Sequence, residues 1–392
     1  MRLAVVALIA AFVLPMQPLH SAPAQEVVLP KGVLPVTAVY VAKGPVDSCG
    51  PGCDRWIAVE GKMDAGAAER LRKLYLGQKS ANLPLYLHSP GGDVRQGLAM
   101  GRLLRARKAV ARVARTLVKE CGADGQGEPA CLKLKQSGRE LEAELVETGA
   151  FCNSSCAYML IGALTREIAP EVTIGVHSAQ VTISFTGGRA PSRSVREQFA
   201  SQATARLERD LAGYVAAMGI DRGLLELIKT VKFEQMHALK REELLRFGID
   251  KRELVETSWR FVDRGERTSH IDKLVQQRDV SQAQGFRTMR WRVGCSSASN
   301  MRVDYRNNGR DSLASAVIRF GADQKIVLAA TTDAQVRGAR VDAPVVEKLK
   351  SASQLSLMEV LKESDAPPRE TIISTEGLTR AADQLAKTCR AP

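Results

Sequence analysis
The chain has 392 residues, 45% of them hydrophobic, and a formal charge of +13. This is the make-up of a folded protein with two or three cores and excludes a disordered chain. The basic balance raises the question of an anionic partner. Yet the clustered Arg102, Arg105, Arg107, Lys108, Arg112 and Arg115 have no aromatic residues interleaved with them, so nucleic acid is not expected as a partner.

Met1-Arg2 gives a short positive start, residues 3–14 form an apolar run, and Ala22-Pro23-Ala24 supplies small residues before Gln25. The pattern predicts a cleaved signal peptide over 1–24 and a periplasmic or secreted mature chain. The competing membrane anchor would need a longer run, and no later segment has the length of a spanning helix. Export makes disulfide candidates of all eight cysteines, Cys49, Cys53, Cys121, Cys131, Cys152, Cys156, Cys295 and Cys389. Spacing ranks 49–53, 121–131 and 295–389 first, with Cys152 and Cys156 pairing with each other or across a site. Zinc is the competing reading, weakened by the lack of a Cys-x-x-Cys pair among the early cysteines, and a thiolate nucleophile at Cys156 is another. No metal and no cofactor are expected.

In chain order, strands are predicted at 37–42 and 56–60, a helix at 65–76, and a short strand at 83–87 ended by Ser89-Pro90-Gly91-Gly92. A helix over 94–109 and a strand over 109–118 follow. This rhythm predicts βαβ units and a mainly parallel sheet. A Gly-rich polar stretch interrupts it as an inserted loop, about 119–145. Asn153-Ser154-Ser155 then runs into a helix at 157–164, and a strand at 173–176 ends at His177. Gly92, Ser154 and His177 all fall at or just beyond predicted strand ends, where chemistry gathers in open α/β sheets. A Gly-rich loop at 181–191 and helices at 194–218, 222–230 and 241–246 complete this part. Beyond about 254 a smaller α+β domain, 255–392, is predicted, with strands at 288–295, 301–305, 315–320 and 325–330. Its helices are predicted at 345–349, 357–361 and 377–387.

Serine hydrolysis needs a hydroxyl, a base and N–H donors for the oxyanion. A serine at a helix start sits beside unpartnered N–H groups. Past the predicted signal peptide only His88, His177, His237 and His270 remain, and His177 ends a strand after the serine. Asp93 and several glutamates are available to orient it. His88 is read as filling space near the site, and His237 as surface or packing in a helical connection. No Gly-x-Ser-x-Gly elbow is present.

Five blocks in order, across roughly residues 35–255, resemble the proteolytic subunit of the Clp protease and its relatives in the Clp protease/crotonase superfamily. They are the strand-Ser-Pro-Gly-Gly-helix block at 85–100, the Ser-small-small-Ala-aromatic block from Ser154 to Leu160, His177, the handle helix 194–218, and the closing element 243–249. More closely than the Clp subunit itself, the chain resembles an exported bacterial branch with a Cys-x-Ser-x-Cys nucleophile motif. The resemblance implies a βαβ spiral with a handle helix over 33–254, Ser154 as nucleophile, His177 as base, and the N–H groups of Gly92 and Ser155 as oxyanion donors. Ser155 as the nucleophile is the alternative. The family's acid has no direct match: ungapped counting lands on Met236, and either Glu234 serves after a small shift or the site is a Ser–His dyad. The implied activity is an exported serine peptidase acting on peptides or unfolded proteins. No ATPase partner is expected, because the chain has no Walker motif and the periplasm offers no ATP. The resemblance also implies a homo-oligomer assembled through the handle helix. The alternative is an inactive binding or scaffold protein on the same fold; a crotonase-like acyl-CoA enzyme is disfavoured outside the cytoplasm. The C-terminal domain also resembles small secreted domains of the invasion-associated locus B type.

Overall fold
The computed structural model describes residues 33–77, 83–182, 191–264, 268–279, 285–296, 300–307, 313–321, 323–333, 335–362 and 368–389. The expected signal peptide and most of the 181–191 loop lie outside these residues. The chain is mixed α/β. The first part runs β1 (Ala38–Lys43), β2 (Arg55–Glu60), α1 (Ala67–Gly77), β3 (Leu85–His88), α2 (Val94–Ala106), β4 (Val110–Val113), β5 (Arg115–Val118) and α3 (Pro129–Lys135). It continues with β6 (Leu141–Val146), β7 (Phe151–Asn153), α4 (Ser155–Gly162), β8 (Thr165–Glu167), β9 (Thr173–Val176), α5 (Arg193–Ala217), α6 (Gly223–Thr230), β10 (His237–Ala238) and α7 (Arg241–Arg246).

Seven strands form one sheet in the order β5-β6-β1-β2-β3-β4-β8. The run β2-β3-β4-β8 is parallel, as is β1 with β6, while β1–β2 and β5–β6 are antiparallel. β2 and β3 are apolar on both faces, as strands covered on both sides must be. β7, β9 and β10 form a separate three-stranded sheet.

Two expectations need correction here. The strand expected over 109–118 is two strands: β4 stays in the parallel run, and past the buried Ala114 β5 turns to pair with β6. The stretch expected as an inserted loop contains α3 and a true strand, β6. Leu141 and Ala143 are buried and alternate with exposed Glu142 and Glu144. Buried Lys135 of α3 donates to Glu60 at 2.8 Å, and Glu60 also accepts from the Tyr40 hydroxyl at 2.7 Å and the Thr116 N–H at 2.9 Å. Burial pushes the Glu60 carboxyl up, but Lys135 and the other donors outweigh it and hold it below the usual range.

The helix pair α2–α4 positions the site. A Cβ on Gly97 would meet the Ser155 carbonyl, one on Gly101 the Tyr214 hydroxyl and the Tyr158 carbonyl, and one on Gly162 the Gly101 backbone. Glycine at these three places lets the helices touch backbone to backbone, so the starts of α2 and α4 lie side by side. Gly101→Val is expected to destabilise the protein by about 3 kcal/mol through overpacking. Denaturant unfolding checks this, and an unchanged midpoint contradicts it.

Four of the clustered arginines have partners within the molecule. Arg105 donates to the Met218 carbonyl at 3.0 Å and Arg112 to Glu167 at 2.6 Å, while Arg102 and Arg107 lie over the rings of Tyr214 and Tyr75.

The C-terminal part comprises β11 (Leu254–Glu256), β12 (Arg260–Val262), β13 (His270–Asp279), β14 (Gly285–Cys295), β15 (Asn300–Asn307), β16 (Leu313–Phe320), β17 (Gln324–Ala330), β18 (Val336–Asp342), α8 (Ala343–Ser351), β19 (Gln354–Leu361), β20 (Arg369–Ser374) and α9 (Leu378–Cys389). Its strands are antiparallel in the order β11-β13-β14-β15-β18-β17-β16-β19-β20, with β12 also on β13. The sheet curls into a near-barrel: Thr371 of β20 donates to Gln277 of β13 at 2.8 Å, and buried Arg287 of β14 pairs with buried Glu359 of β19. The helix expected over 357–361 is part of β19. Leu357 and Leu361 have helical spacing, but the burial alternates as in a strand, with Leu355, Leu357 and Glu359 inward. Among the described residues, no helix is long and apolar enough to cross a membrane.

All eight cysteines are paired, as 49–53, 121–131, 152–156 and 295–389. This removes both the zinc reading and the Cys156 thiolate, since no free cysteine exists. Four disulfides fit an oxidising compartment.

Candidate active site
Ser154 caps α4 with φ 55° and ψ −121°, a conformation rare for a residue with a side chain, and its hydroxyl does not bond to the helix. Its own N–H donates to the Gly175 carbonyl at 2.8 Å. The turn is bracketed by the buried Cys152–Cys156 disulfide, with Cys152 in β7 and Cys156 in the first turn of α4. The cysteine at the start therefore lies outside the helix, as a bond across this short spacing requires. Ser155 differs sharply from its neighbour. It is fully buried, and its hydroxyl faces the Met63 sulfur at 3.2 Å.

The Gly-Gly turn after β3 abuts this serine. A Cβ on Gly91 would lie 2.6 Å from the Ser154 Cβ and 3.1 Å from the Ser155 nitrogen. At Gly92, φ is 144° and a Cβ would come within 2.9 Å of the Met63 carbonyl carbon. The close approach to the serine thus belongs to Gly91, while Gly92 turns past Met63. The Gly91 N–H is used by the Ser89 hydroxyl and the Asp93 N–H by the Met63 carbonyl, which leaves the Gly92 N–H between them uncommitted. The Ser155 N–H is one of the four that a helix start leaves unpartnered.

β7 and β9 run parallel, pairing Cys152 with Ile174 and Asn153 with Gly175, so the end of β9 carries His177 alongside the serine turn. The half-buried His177 places Nδ1 2.7 Å from the Phe233 carbonyl and its ring centroid 5.1 Å from that of Phe233. A carbonyl only accepts, so Nδ1 carries a proton, and in the neutral ring the lone pair is on Nε2. Neither expected acid reaches this histidine. Glu234 is exposed, turned to solvent beyond Phe233, and the Nδ1 position it would occupy is taken by main chain. Asp93 caps α2 by accepting from the Arg95 N–H at 2.8 Å and pairs with the Arg95 side chain. The Phe233 carbonyl is the His177 partner that residue patterns missed, because every residue carries a carbonyl.

The remaining histidines near the site have structural partners. His88 accepts from the Phe151 N–H at 3.3 Å, and burial pushes its pKa down to about 4, so it is neutral at pH 7. His237, expected in a helical connection, lies in β10 opposite Val176, with Nε2 2.9 Å from the Glu243 carboxylate.

Just before β7, burial pushes the half-buried Glu147 carboxyl up to about 7; Arg260 and Lys273 pull it down, while Glu171 and Glu376 push it up. The folded state therefore binds this proton more tightly than the unfolded chain does. Its contribution is most favourable below the usual carboxyl value of 4.5 and is lost as pH rises to about 7. Glu147→Gln, which mimics the protonated form, is expected to raise Tm at pH 8 more than at pH 5. Melts at the two pH values check this; equal shifts contradict it.

No family model matches the chain, and no curated protein matches its sequence significantly. A mutant of ClpP1 from Listeria monocytogenes is similar over 50% of this chain and 87% of that one, at 12% identity and a TM-score of 0.32. The invasion associated protein B from Bartonella henselae is similar over 33% of this chain and 99% of that one, at 11% identity and a TM-score of 0.25.

Proposed function
We propose that this chain is an exported serine peptidase of the Clp protease/crotonase type, cleaving peptides or unfolded proteins without ATP. The observation that carries the reading is the strained, disulfide-bracketed Ser154 turn, set against Gly91-Gly92 and beside the strand that ends in His177. In this reading His177 Nε2 takes the Ser154 hydroxyl proton as the oxygen attacks the carbonyl carbon. The Gly92 and Ser155 N–H groups hold the oxyanion, helped by the dipole of α4. The imidazolium returns its proton to the leaving amine, and water then cleaves the acyl-serine by the same route. The buried Ser155 hydroxyl favours Ser154 as nucleophile. A neutral carbonyl on Nδ1 orients the ring but stabilises the imidazolium less than a carboxylate would, so turnover slower than that of a full triad is expected.

The four disulfides support export. The first turns of α5 are largely exposed from Arg193 to Asp210, which supports a homo-oligomer assembled along this helix; a purely monomeric mass in sedimentation at micromolar concentration contradicts that part. The second reading is a binding or scaffold protein on the same fold, favoured by the missing carboxylate at His177. A fluorophosphonate probe separates the two: the folded, oxidised protein labels if it is a peptidase, and complete resistance to the probe favours the scaffold.

A further inference from the structure
The spacing of Ser154 and His177 depends on the register of β7 against β9, because each residue follows the end of one of these strands. At the far end of the pair, the two approach loops are joined by side chains. Thr148, ahead of β7, donates from its hydroxyl to the Glu171 carboxylate, ahead of β9, at 3.2 Å. A third residue grips both: Arg260 of β12 donates from Nη1 to the Thr148 hydroxyl at 2.8 Å and pairs through Nη2 with Glu171 at 2.5 Å. Arg260 belongs to the C-terminal domain. β12 is held there by antiparallel pairing of Arg260, Phe261 and Val262 with Asp272, Ile271 and His270 of β13, and the Asp272 carboxylate lies 3.5 Å from Nη2. Arg290 of β14 stands behind, 3.9 Å from Glu171 and 3.8 Å from Asp272. The Arg260 and Glu171 side chains are 26% and 14% exposed, so the pair is shielded from solvent.

We propose that Arg260 is a positioning residue: the C-terminal domain fixes the register of β7 and β9 through its fork on Thr148 and Glu171, and so sets the spacing of Ser154 and His177. The proposal rests on the peptidase reading for its kinetic consequence only. A guanidinium suits the task because its rigid planar fork fixes the relative placement of two acceptors, whereas an ammonium is a point charge on a flexible stem. The near-barrel thereby acts as a brace behind the site.

The test uses the full oxidised chain and three variants. Arg260→Ala is expected to raise amide exchange across 150–156 and 171–177 while exchange in β1–β3 is unchanged. It is also expected to lower kcat about 10-fold or more with KM little changed. Arg260→Lys keeps the charge without the fork and should restore only part of both. Thr148→Val, which removes the bridge but leaves the ion pair, keeps the proposal testable if the alanine variant folds poorly, and should fall between. Unchanged exchange in both segments for Arg260→Ala and Thr148→Val overturns the coupling, as does full rescue by lysine. Exchange needs no turnover, so an inactive wild type with the expected exchange pattern defeats the peptidase reading and leaves the brace standing.

Discussion
Alanine at Ser154 is expected to lower kcat/KM for hydrolysis of an unfolded protein by roughly 10⁴-fold or more, and His177→Ala by a similar factor. Nucleophile and base act as a unit, so removing both should cost little more than removing one. Two controls sharpen the result. Ser155→Ala removes a hydroxyl directed at the Met63 sulfur in the core, so its effect on rate should be small. Glu234→Ala removes an exposed carboxylate that does not touch His177, so rates should match wild type. Initial rates on a denatured protein substrate measure all four. Residual wild-type activity in Ser154→Ala, or a large loss in Ser155→Ala, places the nucleophile elsewhere.

Removing the Cys152–Cys156 bond is the second large effect. The Ser154 backbone conformation costs about 1–3 kcal/mol to maintain. A disulfide closing so short a loop stabilises by roughly 2 kcal/mol in the chain-entropy account. The two magnitudes are comparable, so a bond across this turn is large enough to offset the local strain. Cys152→Ala with Cys156→Ala should therefore lower Tm by several degrees. It should also slow fluorophosphonate labelling about 10-fold or more at a temperature where the protein stays folded. A lowered Tm with unchanged labelling means the bond supports the fold alone. Wild type treated with a reductant is not an equivalent test, because the bond is buried and three other disulfides would be exposed to the same reagent.

Much of this arrangement is legible in the sequence because its signals are local. Apolar strands, breaker glycines and the polar-to-apolar switch at Asn153-Ser154-Ser155 mark β3, the Gly-Gly turn and the start of α4 without tertiary information. Spacing ranks the pairs 49–53, 121–131 and 295–389 once export is assumed, while the joining of Cys152 to Cys156 is fixed by the fold. Four things are not local. β6 has strand alternation, but its glutamates and Gly-rich approach read as a loop until β1 and β5 supply its partners. β13 contains His270, Asp272 and Lys273, all buried, and Lys273 is tolerated inside because it donates to the Thr257 carbonyl at 2.7 Å and pairs with Glu256 at 3.0 Å. No pattern of polar residues announces such satisfaction in advance. The orienting group on His177 is main chain, so a search for an acidic side chain could not find it. Arg260 is hidden for a different reason: its two partners lie 112 residues and 89 residues away in sequence, one on each approach loop.

The peptidase reading requires Ser154, in its strained turn, to be a chemically activated hydroxyl. The most direct test is the position of a covalent adduct. The oxidised wild-type protein is treated with a fluorophosphonate, digested, and the modified peptide sequenced by mass spectrometry. One modified residue is expected, Ser154, with labelling abolished by His177→Ala. An adduct on Ser155, or an unmodified folded protein, contradicts that reading.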